Sequence, residues 1–145
     1  MEDPHRLQRF VAAQDASGTY DAAVSELRTG RKRTHWMWFV FPQIAGLGRS
    51  PTARTYAISS LDEAEAYLAH PLLGRRLRDC AGILTQRHGD TAQDIFGGID
   101  AIKLRSSMTL FAHADPHEPL FRRVLDAYFD GEPDEATERL LSLER

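Results

Sequence analysis

Two stretches of the chain hold residues whose types and spacing could bind or transform a charged ligand. The first runs Thr34-His35-Trp36-Met37-Trp38-Phe39-Val40-Phe41-Pro42-Gln43 and continues, after Ile44-Ala45, as Gly46-Leu47-Gly48-Arg49-Ser50-Pro51. Ser50 is a good N-cap and Pro51 a good first helical residue, which predicts a helix from Pro51 with Ala53, Tyr56 and Ala57 turned inward. Gly46 and Gly48 let the backbone approach a ligand closely just before it. The free N–H groups of a helix N-terminus suit phosphate or carboxylate, and Arg31, Lys32, Arg33 and Arg49 are close in sequence. The expected site has Arg33, Arg49 and the amides after Ser50 holding an anion, Trp38 and Tyr56 as an aromatic wall, and His35 and Gln43 fixing orientation. If chemistry occurs there, His35 is the candidate proton carrier, because imidazole suits proton transfer near neutral pH.

The second stretch is Lys103-Leu104-Arg105-Ser106-Ser107, on a helix expected after Gly97-Gly98-Ile99-Asp100. Lys103 and Ser107 stand four apart, one above the other on such a helix. A buried ammonium is costly unless paired, and Asp100 is placed either to pair with Lys103 or to cap the helix. The spacing permits a Ser–Lys nucleophile, a ligand contact or a purely structural pair. The glycine loop lacks the third glycine of a dinucleotide fingerprint and the Gly-Lys-Ser or Gly-Lys-Thr of a phosphate loop. As a result no motif specifies a cofactor. No metal site is expected, since Pro116 separates His113 from His117 and no third ligand has suitable spacing.

Charge is distributed unevenly. Leu27 to Leu61 contains no acid, both tryptophans and six bases (Arg28, Arg31, Lys32, Arg33, Arg49, Arg54), leaving 12 bases and 21 acids, a net −9, elsewhere. An anion site explains this; so does pairing of the bases with the acidic helices after Asp115. The pI of 6.0 argues against broad nucleic-acid affinity. The run His35 to Pro42 is apolar at both helical and strand periods and must be largely buried, with Trp36, Phe39 and Phe41 as core. Trp38 and His35 are better placed at a cavity wall, where a polar partner is found.

These residues must be positioned by helices. Helices are expected from Asp3-Pro4 to Ser17-Gly18, from Thr19 as cap to Gly30, behind Ser60 and Glu63 in a capping box, from Pro71 to His88-Gly89, briefly at Thr91 to Phe96, from Asp100 as cap to before Asp115, from Glu118 to Phe129 and from Pro133 to Leu143. Ile102 is read as buried with Leu104, Met108, Leu110 and Phe111, and Asp62-Glu63-Glu65 and Asp134-Glu135 as solvated first turns. No set of alternating segments supports a sheet. At 145 residues, 42% hydrophobic, the expectation is an all-α, single-domain irregular bundle of about seven helices over residues 1–145. The lone Cys80 reads as a buried structural thiol. No apolar run approaches the ~20 residues of a membrane span, and the N-terminus lacks an export-signal pattern, so cytoplasm is the expected compartment.

The tryptophan-rich run, together with Gly46-Leu47-Gly48, Ser50, Tyr56, His70-Pro71, Leu73-Gly74 and Lys103-Leu104-Arg105-Ser106-Ser107-Met108, resembles a bacterial family of small hypothetical proteins of unknown function, sometimes labelled calpastatin, and is close to its mycobacterial representative. The resemblance covers nearly the whole chain. It implies a mainly helical single domain and supplies no activity, cofactor or catalytic residue. The residues themselves favour binding of a small anionic metabolite (a nucleotide-like compound, sugar phosphate or carboxylate) between His35–Ser50 and Lys103–Ser107. The alternative is a non-enzymatic module that meets an acidic protein or, less readily, nucleic acid through the basic segment.

Overall fold

The computed structural model describes residues 3–144. Along the chain lie α1 (Gln8–Asp15), α2 (Thr19–Thr29), α3 (Met37–Val40), α4 (Pro51–Thr55), α5 (Leu61–Ala69), α6 (Leu73–Gln86), α7 (Ala92–Ala114), α8 (Leu120–Phe129) and α9 (Glu135–Ser142), with a 3₁₀ turn at Ala16–Gly18. The described residues are all-α, as expected, with nine helices: α4 starts at Pro51 as expected, the short α3 lies within the run read only as buried core, and the helices expected separately at Thr91 to Phe96 and after Asp100 run together as α7. Among these residues the one extended pairing is a bridge of Ile44 with Ile58, in which Ala45 N–H reaches Ile58 O and Ile58 N–H reaches Gln43 O, both at 2.8 Å. It closes the loop that carries α4.

Helix α7 is central, packing against α5, α8 and α9, while α6 joins α2, α5 and α8. Its burial follows from its sequence: Leu104, Met108, Leu110, Phe111 and Ala112 are all in the core, on more than one face of the helix. The largest fully buried side chains include Trp36, Tyr67, Phe10, Phe41, Phe111 and Phe121. Trp36, Phe41 and Phe96 form a triangle with ring centroids 6.2–6.3 Å apart, within the range of favourable edge and tilted packing. Phe39, expected in the core, is only partly buried and stands edge-on to Tyr56 at 4.7 Å.

Several local expectations are corrected. Pro4 does not begin α1: Arg6 takes a left-handed conformation (φ 52°), and the Asp3 carboxylate instead reaches across this turn to accept from Leu7 and Gln8 N–H at 2.8 and 3.0 Å. Thr19 is not the cap of α2 but its first residue, its hydroxyl donating to Ala16 O at 2.7 Å. Ser60 caps α5, yet Glu63 is not solvated. It is 3% exposed, accepts from Ser59 N and Oγ at 2.9 and 2.7 Å, and meets Arg9 at 2.9 Å. Asp134 caps α9 through Thr137 N–H rather than standing free in a first turn. Asp100 caps nothing, because α7 runs through it. Ile102 is 62% exposed, since it follows Ile99 by three positions on the outward face of α7.

Gly97 divides α7. Its φ of 80° and ψ of 168° lie in a region that is close to glycine-only, and the helix resumes beyond it at an offset. A Cβ there meets no atom within 4 Å, so backbone strain alone opposes substitution. Gly82, in α6, likewise has open space where a methyl group would stand but is helical. Gly97→Ala is therefore expected to lower stability by roughly 1–3 kcal/mol and Gly82→Ala to raise it by roughly 0.5–1 kcal/mol, as read from the midpoints of urea unfolding curves.

Candidate functional site

The segment leading into the tryptophans is fixed by one carboxylate. Glu26, on α2, accepts from Arg33 N–H at 2.7 Å, from Thr34 N–H at 3.0 Å, from the Thr34 hydroxyl at 2.7 Å and from Trp36 Nε1 at 3.0 Å. Burial works against its charge, but these hydrogen bonds outweigh it and bring its carboxyl down to about 2 from an ordinary 4.5. The indole N–H that required a polar partner thus belongs to Trp36 in the core, and Trp38 is left half-buried at a cavity edge.

Lys32 is carried by the same segment onto the N-terminal part of α7. Its N–H donates to Ile95 O at 2.7 Å, and Arg31 Nη1 donates to Asp94 O at 3.1 Å. The Lys32 ammonium lies 2.8 Å from one oxygen of Asp100, while Lys103 lies 3.5 Å from the other. Each ammonium also stands over an indole: Lys32 is 5.1 Å from the Trp36 ring and Lys103 is 4.8 Å from the Trp38 ring. This Lys–Asp–Lys cluster, with one net positive charge and two cation–π contacts, borders an open cleft of about 390 Å³. Phe96, Gly97, Gly98 and Ile99 form one side of the cleft, and His35, Met37 and Trp38 the other.

Behind Trp38 is a second, inner cavity. Trp38, Gln43, Gly48, Tyr56 and Lys103 line it with Met37, Phe41 and Ile44, and its volume is about 10 Å³. That is room for about one water molecule, so no metabolite enters it. Trp38 and Lys103 form the wall between the two hollows, because both line each of them.

The structure thus gathers Trp38, Gln43, Gly48, Tyr56 and Lys103 around the inner cavity and His35, Trp38 and Lys103 around the outer cleft. It does not gather Arg33, Gly46, Arg49, Ser50 or Ser107 there. Arg33 and Arg49 are exposed and line neither hollow. Ser50 Oγ is engaged by Ala53 N–H at 3.1 Å, and α4, at five residues, is too short to present a strong helix dipole. Gly48 is needed for packing, since a Cβ there would overlap that of Ala53. Gly46 faces Leu140 of α9. The Ser107 hydroxyl is fully buried with no partner, whereas Lys103 is committed to Asp100 and Trp38, so no Ser–Lys nucleophile forms. The bases of this segment do not pair with the C-terminal acids: among the described residues their one salt bridge is that of Lys32 with Asp100, and the one C-terminal carboxylate that touches the segment, Glu144, accepts from the Leu61 amide.

Lys32 and Asp100 complete the cluster but are absent from the site read from sequence. The spacing of Asp100 and Lys103 signals their own contact; nothing local signals that Lys32 joins them from 68 positions away. Cys80 is buried, and burial pushes its thiol up to about 12, which leaves it without nucleophilic thiolate near neutrality. Among the described residues no group of three or more His, Cys, Asp or Glu is arranged to hold a metal ion, and no helix is long and apolar enough to cross a membrane.

The carboxylate of Glu26 makes the loop acid-sensitive. Its folded pKa lies below its ordinary value, so its stabilisation is full above about pH 4.5 and is lost as pH falls from there toward about 2. Glu26→Gln is expected to lose roughly 1.5–3 kcal/mol at neutral pH, with the gap to the unaltered protein closing across that acid window. Urea unfolding followed by Trp fluorescence at a series of pH values checks this.

The family described as protein of unknown function (DUF1810) matches residues 4–141, and the chain belongs to it. The crystal structure of the conserved hypothetical protein Rv1873 from Mycobacterium tuberculosis is similar at 53% sequence identity, covering 97% of this chain and 99% of that one, with a TM-score of 0.93. Among curated proteins there is no match.

Proposed function

We propose that this member of the family binds a small anionic metabolite in the outer cleft between the His35–Trp38 segment and the kinked start of α7. The observation that carries the reading is the Lys32–Asp100–Lys103 cluster, in which two ammonium groups share one carboxylate at 2.8 and 3.5 Å and so retain one unneutralised positive charge. The Lys32 side chain is only 8% exposed and those of Asp100 and Lys103 20% and 23%. A ligand carboxylate or phosphate entering here would meet cations already partly stripped of water, where charge attraction is stronger than at the open surface. The cleft volume of about 390 Å³ falls in the ~300–1,000 Å³ range of small-molecule sites. The Trp38 face supplies an apolar wall, and the exposed glycines of the kink allow backbone approach. Nucleotide-like compounds, sugar phosphates and aromatic carboxylates share the required chemistry. His35, at the rim, is the group available for proton transfer if the bound compound reacts.

A second reading, a protein-binding face, is favoured by Ile99 and Ile102, which are 75% and 62% exposed beside the same lysines. The two readings separate by substitution. In a thermal-shift screen of anionic metabolites, a cleft ligand at roughly 100 times its Kd should stabilise the protein by about 2.7 kcal/mol. That gain should vanish in Lys103→Ala and persist in Ile102→Lys and Arg49→Ala. A screen in which no anionic compound stabilises the protein, or in which Arg49→Ala removes the effect as fully as Lys103→Ala, would sink the cleft reading.

A further inference from the structure

A second concentration of positive charge lies outside that cleft, where the N-terminal turn and α1 face α4. His5, Arg6, Arg9 and Arg54 surround a hollow of about 250 Å³, with Ser59 and Glu63 at its back. Its one carboxylate is already committed: Glu63 is held by Arg9 at 2.9 Å and by the amide and hydroxyl of Ser59. The Asp3 carboxylate nearby is turned to the Leu7 and Gln8 amides. Arg9 is itself saturated. Its Nε donates to Thr55 O at 2.9 Å, its Nη1 to His5 O at 2.6 Å and Arg6 O at 3.0 Å, and its Nη2 to Ala57 O at 2.9 Å. It thereby ties the backbone on both sides of the hollow, the turn bearing Arg6 and the segment bearing Arg54, into fixed relation. The guanidinium groups of Arg6 and Arg54 remain, and among the described residues neither has a carboxylate partner or a side-chain hydrogen bond.

We propose that this hollow binds a phosphate-type oxyanion, inorganic phosphate or a phosphomonoester, between Arg6 and Arg54 with His5 alongside. Guanidinium forks match the oxygens of a tetrahedral oxyanion with paired charge-assisted hydrogen bonds. Two unneutralised guanidinium groups balance a dianion. The volume decides the size of the occupant: about 250 Å³ is below the ~300–1,000 Å³ of sites that take a whole drug-sized molecule, and it fits a phosphate with a short substituent. The left-handed backbone at Arg6, φ 52°, is costly for a side chain other than glycine; here it directs Arg6 onto the hollow, held by its N–H to Asp3 O at 3.0 Å.

Titration calorimetry with inorganic phosphate, at ionic strength matched with chloride, tests the site on the full chain. The expected result is one saturable event, weakened about tenfold in Arg6→Gln and in Arg54→Gln, and unchanged in Arg49→Gln, an equal charge loss elsewhere. Lys103→Ala should also leave it unchanged, so the cleft and this hollow stand or fall separately. Parallel titrations with glycerol 3-phosphate and with phosphatidylcholine vesicles containing phosphatidic acid identify the source of the phosphomonoester; binding in either arm that is lost in the Arg6 and Arg54 variants supports the site. Absence of saturable binding to all three probes, equal weakening in Arg49→Gln, or weakening in Lys103→Ala alone would overturn it. Circular dichroism of each variant confirms that the fold is retained.

Discussion

Glu26 decides where the acid-free segment goes. Its carboxylate accepts from two backbone amides, a hydroxyl and the Trp36 indole, and so gathers residues 33 to 36 onto the end of α2. Gly30, in the left-handed conformation that ends that helix, lets the chain turn back within reach. With Trp36 held in the core, Met37 to Val40 have a single turn of helix in which to pass, and Trp38 must face outward along α7. The position of Lys32 over Trp36 and beside Asp100 follows from the same attachment. A carboxylate that accepts several hydrogen bonds from fixed donors stays ionised despite burial, which is why one residue can hold so much of the arrangement.

The positive charge of the acid-free segment is divided by this geometry. Lys32 is drawn inward to a shared carboxylate, whereas Arg33 and Arg49 are left in solvent and Arg54 turns to the N-terminal hollow. Proximity in sequence did not make one site of them because short helices and turns point successive side chains in different directions. The bases gather instead by pairing with elements far along the chain, α7 for Lys32 and α1 for the surroundings of Arg54.

Two bonding patterns account for most departures from local expectation. Long-range polar contacts took over residues with good local roles: Glu63 left its capping box to neutralise Arg9, and Asp100 left the helix start to join two lysines. Turn geometry moved helix boundaries, as at Asp3, whose carboxylate reached past the left-handed Arg6 to cap α1 from outside. For Glu63 and Asp100 the local signal was real, and a partner distant in sequence, Arg9 or Lys32, offered a sheltered charge better compensation; for Asp3 the competing partners were the amides of the next turn.

By itself the sequence determined that the fold is all-helical, that Ser50 and Pro51 begin a helix, that Gly30 ends one, that a break falls at Gly97-Gly98, and that Trp36 and Phe41 are core. These depend on apolar periodicity, caps and glycine conformations, which act over a few residues and are legible in order along the chain. It also brought Trp38, Gln43, Gly48, Tyr56 and Lys103 into one candidate set, because the aromatic run and the polar positions of α7 had to meet. Only the tertiary structure decided that the cavity among them holds no more than a water, that Trp38 and Lys103 form its outer wall, and that Lys32 and Asp100 complete the charged cluster. Volumes and ion pairs between segments depend on how helices dock. Docking is set by the summed packing of the whole core, which no local spacing encodes.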